Sequence, residues 1–480
     1  LSLLDQRRFA EARQAISAAI ATRDDEPDYY LLRARIEFAA GQTAAAYAAY
    51  QDALALDATN AEALQGVSQL GLQVGDYEEA ENAADQILTL QPEQSDALLV
   101  RGLIALVKRR YEEAGGWADR ILRQDEGSEA GAILKARAAF LAGDPQAALA
   151  AVNQYEAMRA PTAGSVRTRL EIARARHDAA AMRDAFDQLD RLTPRDATLA
   201  IDRGNFSAKT GDKAHARRFL TVALAQKDLT DAQIADAVGV LREYSLLLTP
   251  EFLDQLQASA NTKSLSALKR LALSRGELNA AKRLQKLMKP QEAQAIEAEI
   301  ALQQTNLPRA QAIAAEILKQ DKDNCAALSV VAAIKLKTGS FSDAVRFGQR
   351  ASAQCPDLPQ AYEITALAYA AQNDPVNARR VFRDGIDTNR QSEPLTRSYV
   401  DWLIKQRAVQ EAAGAARRLT RAAPASTSGW RLLADVCRRG SMACVGEADR
   451  GLAAASKNYG IDLKPGELPP NGLLGRFVVR

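Results

Sequence analysis

The chain is short of the residues that hold metals and carry nucleophilic chemistry: two His, four Cys and four Met in 480 residues. A metal site needs three or four convergent ligands, and neither His177 nor His215 has a Cys or a second His close by in sequence. No phosphate-binding loop, dinucleotide fingerprint or Gly-x-Ser-x-Gly elbow occurs. The reading is therefore a non-enzyme with no cofactor and no metal. Aromatic residues are also scarce, at 5% against 47% hydrophobic overall. No run of 18 apolar residues exists, so no segment reads as a membrane-spanning helix. With a net charge of +2, nothing global draws the chain to nucleic acid or to a membrane surface.

What is present is alanine, the best helix former, arranged with a period. Residues 61–94 read AEALQGVSQLGLQVGDYEEAENAADQILTLQPEQ. Counting Ala61 as position 1, small or apolar residues fall at positions 4 (Leu64), 7 (Val67), 8 (Ser68) and 11 (Gly71). A turn follows at Gly75-Asp76-Tyr77, then Ala80 at position 20, Ala84 at 24, Ile87 at 27 and Pro92 at 32. The unit resembles a tetratricopeptide repeat, a 34-residue helix-turn-helix. Counting outward gives units starting at residues 27, 95, 129, 163 and 197, with Ala46, Ala114, Ala148, Met182 and Ala216 at position 20. A small residue is needed there because the two helices cross at close range.

The register breaks after residue 230. At Thr249-Pro250-Glu251 the sequence reads as a helix start, with Thr as N-cap and Pro at the first helical position. Residues 231–261 are expected to hold a long first helix and a short, rotated second one. A shortened unit follows at 262–290, and the 34-residue step resumes at Gln291, Cys325, Pro359, Glu393 and Thr427. The expected organisation is an N-terminal repeat arm over 1–230, an irregular junction over 231–261, a C-terminal arm over 262–458 and an extended tail over 459–480. The tail, with four Gly and three Pro, is expected to fold back over the last helix, with docking on another protein as the alternative. The fold class is all-α, a solenoid of antiparallel helix pairs, and the resemblance implies a right-handed superhelix with a concave groove. Leu1 falls at position 9 of a repeat, which leads to the expectation of an upstream stretch carrying a signal or lipid-attachment sequence.

The cysteines form two pairs. Cys325 and Cys355 stand at positions 1 and 31 of one repeat, where the start of the first helix lies beside the end of the second. Cys437 and Cys444 flank the turn of the last repeat. Both placements suit the roughly 4.4–6.8 Å Cα separation of a disulfide. Two such pairs point to an oxidising compartment, here the bacterial periplasm, with the cytoplasm as the alternative.

In the resembled family, positions 2, 5, 9, 12 and 13 of the first helix face the groove. Partner-binding candidates are then Glu62, Gln65, Gln69 and Gln73, followed by Leu99, Leu103 and Leu106. A basic run continues with Arg137, Arg167, Arg174, Lys263 and Arg270. Residues 51–100 hold ten acidic side chains and no Lys or Arg, whereas the unit 262–290 is strongly basic. No unit carries the Lys and Asn pair at positions 5 and 9 of a chaperone-type carboxylate clamp; Asn205 is at position 9, but Ile201 is at position 5. The resemblance implies a protein-binding scaffold of the cell envelope, serving secretion, surface-appendage assembly or polysaccharide export. Membrane attachment would come only through an upstream anchor at the outer membrane. The rival readings are direct binding of an anionic polysaccharide by the basic groove residues, and a cytoplasmic adaptor.

Overall fold

The structure is a computed structural model that describes residues 2–256, 261–288, 290–424 and 426–457. The expected roles of the tail 459–480 lie outside these residues. Among the described residues the secondary structure is helical throughout, and consecutive helices pair antiparallel across short turns. The fold is an all-α solenoid.

The local cause of the period is visible at each helix start. Asn60, Gln94, Ser128, Thr162, Asp196 and Thr230 stand 34 residues apart. Each accepts a hydrogen bond from a backbone N–H in the first turn of the helix that follows it. Those N–H groups have no partner within the helix, so a side-chain oxygen at that place fixes where the helix begins. Thr162 and Thr230 form full capping boxes with Ser165 and Gln233. The turn to the second helix passes through a left-handed residue at position 15: Gly75 at φ 86° and Gly143 at φ 91°, but also Arg109 at 58° and His177 at 54°. His177 therefore sits in a turn by register, where most L residues are strained.

Helix pairs close on position 20, or, in the last pair, on Ala448 two residues beyond it. Ala46, Ala80, Ala114, Ala148, Met182, Ala216, Ala281, Ala310, Ala344, Ala378, Ala412 and Ala448 are all fully buried. The crossing is tight: a Cβ on Gly71 would stand 2.8 Å from the Ala80 Cβ and 3.0 Å from the Asp76 carbonyl oxygen.

The residues divide into two compact units, one through Leu192 and one from Thr193. In the first, pairs run from Pro27–Ala39 with Thr43–Leu56 to Ala163–Ala175 with Ala179–Leu192, preceded by Phe9–Thr22. The second runs from Ala197–Lys209 to Val445–Lys457 and contains the irregular stretch.

The irregular stretch differs from expectation in one respect. Its first helix, Asp231–Glu243, has the usual 13 residues, and the shortening falls wholly on the second, Pro250–Leu256, with seven. Phe252, Leu253 and Leu256 of that short helix are buried with Leu246, Leu248, Leu265 and Leu268. The loop between is held by two side chains of the next turn. The Arg275 guanidinium donates to the Leu246 and Leu241 carbonyls at 2.9 and 3.3 Å, and the Leu248 N–H donates to Glu277 at 3.0 Å.

If the crossing distance sets the fold, Ala80→Leu will lower the urea midpoint by an amount equivalent to about 1–3 kcal/mol. Gly116→Ala, in mid-helix with open space around the new methyl, will instead raise it by up to about 1 kcal/mol. Circular dichroism during urea titration checks both.

Candidate functional site

The second unit closes on itself through side chains far apart in sequence. The Lys209 Nζ donates to the Ala455 carbonyl at 2.9 Å. Glu243 accepts the backbone N–H of Thr427 at 2.7 Å and its hydroxyl at 3.2 Å. Ser426, the N-cap of the helix Thr427–Arg439, makes no side-chain cap bond. A carboxylate from another repeat takes that place, where the helix dipole also favours negative charge. Arg270 lies 3.8 Å from Asp357, which precedes the helix Pro359–Ala371.

Within this unit is a cavity of about 570 Å³. Its lining comes entirely from first helices of pairs and the residues that end them. One wall is the C-terminal end of Asp231–Glu243 and of Thr262–Ser274, with Arg242 and Arg275. The other is Pro359–Ala371 and Glu393–Lys405, with Glu363, Leu367, Arg397, Asp401 and Trp402.

The charges on these walls are committed to different degrees. Arg275 is 2.7 Å from Glu277 and holds the loop described above. The Arg397 Nε donates to Glu393 at 2.5 Å. Arg242 makes no ion pair among the described residues. Burial pushes its guanidinium below the ordinary range; Glu393 opposes that, and Arg270 and Arg275 add to it. It remains a cation at neutral pH. On the facing wall, burial pushes the Glu363 carboxyl up, against a hydrogen bond from Ser398. Trp402 is rigid, stacked at 6.1 Å on Tyr399 and tilted at 5.9 Å to Phe382.

The sequence pattern of the tetratricopeptide repeat family matches residues 1–61 and 69–129. The chain carries tetratricopeptide repeats. No curated protein matches it. Similar solved structures include a tetratricopeptide repeat protein from Parabacteroides merdae, at 20% identity and TM-score 0.44, covering 50% of this chain and 95% of that one. PilF of Pseudomonas aeruginosa matches at 21% identity and TM-score 0.33, over 40% of this chain and 88% of that one. PilW, a type IV pilus biogenesis factor, matches at 20% and 0.35, over 40% and 90%.

The candidates from the repeat register fall into several environments. Gln65, Gln69 and Gln73 are exposed on Ala61–Val74, and Gln65 donates to Asp96 at 3.3 Å. Leu106 belongs to the core with Leu98 and Leu134, and Leu99 and Leu103 are half-buried against it. Arg137 is buried at 4% exposure, Arg174 lies 3.0 Å from Glu171 of its own helix, and Arg167 is half-buried. In the second unit, Lys263 pairs with Asp231 at 2.8 Å.

Much of the acidic segment 51–100 is neutralised by neighbouring repeats. Glu62 pairs with Arg35, and Glu81 takes both Arg101 and Lys108. Asp85 lies 2.9 Å from Arg101, and Glu93 lies 3.3 Å from Arg120. Glu78 stays exposed. The cysteine pairs lie at disulfide distance, with S–S separations of 2.07 Å for Cys325 and Cys355 and 2.01 Å for Cys437 and Cys444.

The register could also have found the cavity. Arg242 is at position 12 of its unit, Glu363 and Arg397 at position 5, Leu367 and Asp401 at position 9. What it could not supply is which of these positions face one another.

Glu243→Ala will remove the cap on Thr427 at a cost of about 0.5–2 kcal/mol. Amides at the start of Thr427–Arg439 will then exchange faster in hydrogen-exchange mass spectrometry, with no change in Ala61–Val74. The raised Glu363 carboxyl favours the protonated folded state, so its penalty is greatest when it is ionised and is relieved as pH falls through its raised value. Glu363→Gln, neutral at every pH, will melt above wild type at pH 7, and thermal scans will show the gap closing as the pH is lowered.

Proposed function

We propose that this protein is a non-enzymatic scaffold of the bacterial cell envelope that binds a protein partner through the inner face of its second repeat unit. The observation that carries the reading is the cavity lined by first helices, where positioned charges stand beside a fixed aromatic edge. Binding sites commonly combine apolar walls with a few placed polar groups, and repeat solenoids offer extended concave surfaces to partners.

The two cysteine pairs support an oxidising compartment, since disulfides persist outside the reducing cytosol. The periplasm, with a tether at the outer membrane, suits a scaffold for secretion, appendage assembly or polysaccharide export. Direct polysaccharide binding by the unit 262–290 is less favoured, because Lys263, Arg275 and Arg283 there are paired with Asp231, Glu277 and Asp254.

Two measurements test the proposal. Thiol titration of denatured, unreduced protein from native cells will find no reactive thiols; four would overturn the oxidising compartment. Cross-linking in native envelopes followed by affinity capture will recover a protein joined to the helices Pro359–Ala371 or Glu393–Lys405. Recovery of the chain alone would overturn the scaffold reading.

A further inference from the structure

The last helix pair is held to the start of the second unit by charge at helix ends. Lys209 and Glu243 each end the first helix of their pair, at position 13, in successive repeats. Both grip the same end of the pair formed by Thr427–Arg439 and Val445–Lys457. Glu243 accepts the N–H of Thr427, the first residue of one helix, and Lys209 donates to the carbonyl of Ala455, in the last turn of the other. Antiparallel pairing sets these two termini side by side, one with orphan N–H groups and the other with orphan carbonyls. Each meets the charge that its helix dipole favours, an anion at the N-terminus and a cation at the C-terminus.

This joint differs in kind from the others in the unit. Neighbouring helix pairs share apolar cores, one over residues 197–300 and another over 366–448. These are separate clusters, and the described side-chain contacts between the two arms are polar. Besides the two at the helix ends, Arg270 lies 3.8 Å from Asp357, exposed on both sides. Water can take the place of such contacts when two surfaces separate, whereas parting an apolar core exposes its whole area. The seam is therefore where the unit parts first.

The arm beside the seam also has a thin outer layer. Two successive second helices, Pro250–Leu256 and Leu278–Gln285, have seven and eight residues, where Leu307–Gln320 and Phe341–Gln354 have 14. In a solenoid each pair is held by its neighbours, so less packed surface there resists a change of angle. The cavity lies between the two arms. Arg242 of its lining is next to Glu243, and Asp401 is on Glu393–Lys405 of the facing wall.

We propose that the last helix pair is a releasable strap: latched by Lys209 and Glu243 it holds the second unit closed around the cavity, and released it lets the two walls part about the pairs with short second helices. Access to the interior then depends on the strap and not on the closed cavity's size. The device is independent of what the protein binds, so its failure leaves the scaffold reading untouched, and failure of that reading leaves the strap.

Pulsed dipolar electron resonance on the full chain tests it. Nitroxides coupled to a ketone-bearing residue leave the cysteines untouched. One pair of labels replaces Lys213 and Ala454, exposed beside the clasp, and a second replaces Ser274 and Lys405 on the facing cavity walls. Salt is raised from about 10 mM to about 1 M, which cuts the screening length from about 30 Å to about 3 Å. In wild type the low-salt distances will be short and narrow, and a longer population will grow at least about fivefold at high salt for both label pairs, because the dipole interaction is screened. Lys209→Glu combined with Glu243→Lys keeps the composition and net charge but sets both charges against the dipoles. That variant will be mostly open at low salt. Glu243→Gln, which keeps an acceptor without the charge, will lie between, and circular dichroism will show the same helix content in all. Wild-type distances that do not change with salt would overturn the strap, and that comparison needs no substitution in the clasp. So would an exchanged variant that stays closed, or clasp labels that separate while the cavity labels stay fixed.

Discussion

Most helix pairs in both units are organised by the approach of their two helices at a small buried side chain; Met182 and the irregular pair that contains Pro250–Leu256 depart from it. Ala80 against Gly71 is the clearest case, since a single added methyl would already enter contact distance. Close approach allows the pair to be thin, and a thin pair buries too little apolar surface to stand alone. Each pair therefore depends on its neighbours. The cores follow that logic, with Leu98, Leu106 and Leu134 drawn from successive repeats into one cluster. Low aromatic content is the compositional trace of the same constraint, because large rings would hold the helices apart.

The same stacking explains why much of the charge on the surface is unavailable for recognition. Side chains on neighbouring repeats come to lie side by side, so an acidic residue on one helix meets a basic residue 27 positions away in the chain. Arg35 with Glu62 and Arg120 with Glu93 are of this kind. Exposed pairs of this sort contribute little to stability, yet they remove charge from the field a partner would feel. An acidic segment read from composition thus shrinks to a few uncommitted groups such as Glu78.

In the second unit, local irregularity and tertiary closure act together. The shortened helix Pro250–Leu256 follows a loop that Arg275 and Glu277 hold in place, and that loop ends the helix bearing Arg242 and Glu243. One of these neighbours faces the cavity, and the other caps a helix almost two hundred residues later in the chain. The site and the closure are therefore built from adjacent positions on the same helix end.

The register of the repeats was legible from the sequence because it is set by local chemistry. N-caps at Asn60, Ser128 and Thr162, the turn at position 15 and the alanine at position 20 each act within one helix or one pair. The cysteine pairings were legible for the same reason, as both lie within a single repeat. The expected long helix after residue 230 was not found, because Asp231–Glu243 is ended by carbonyl contacts with Arg275, a residue of the next unit. Whether Leu106 and Arg137 would be buried or face a groove was likewise beyond a position rule, since neighbouring repeats decide it. The sequence alone determined the period, the fold class and, outside residues 231–261, the boundaries of the repeat units. Only the tertiary structure decided which charges remain unpaired and which first helices face one another, because both depend on contacts between residues that no local period relates.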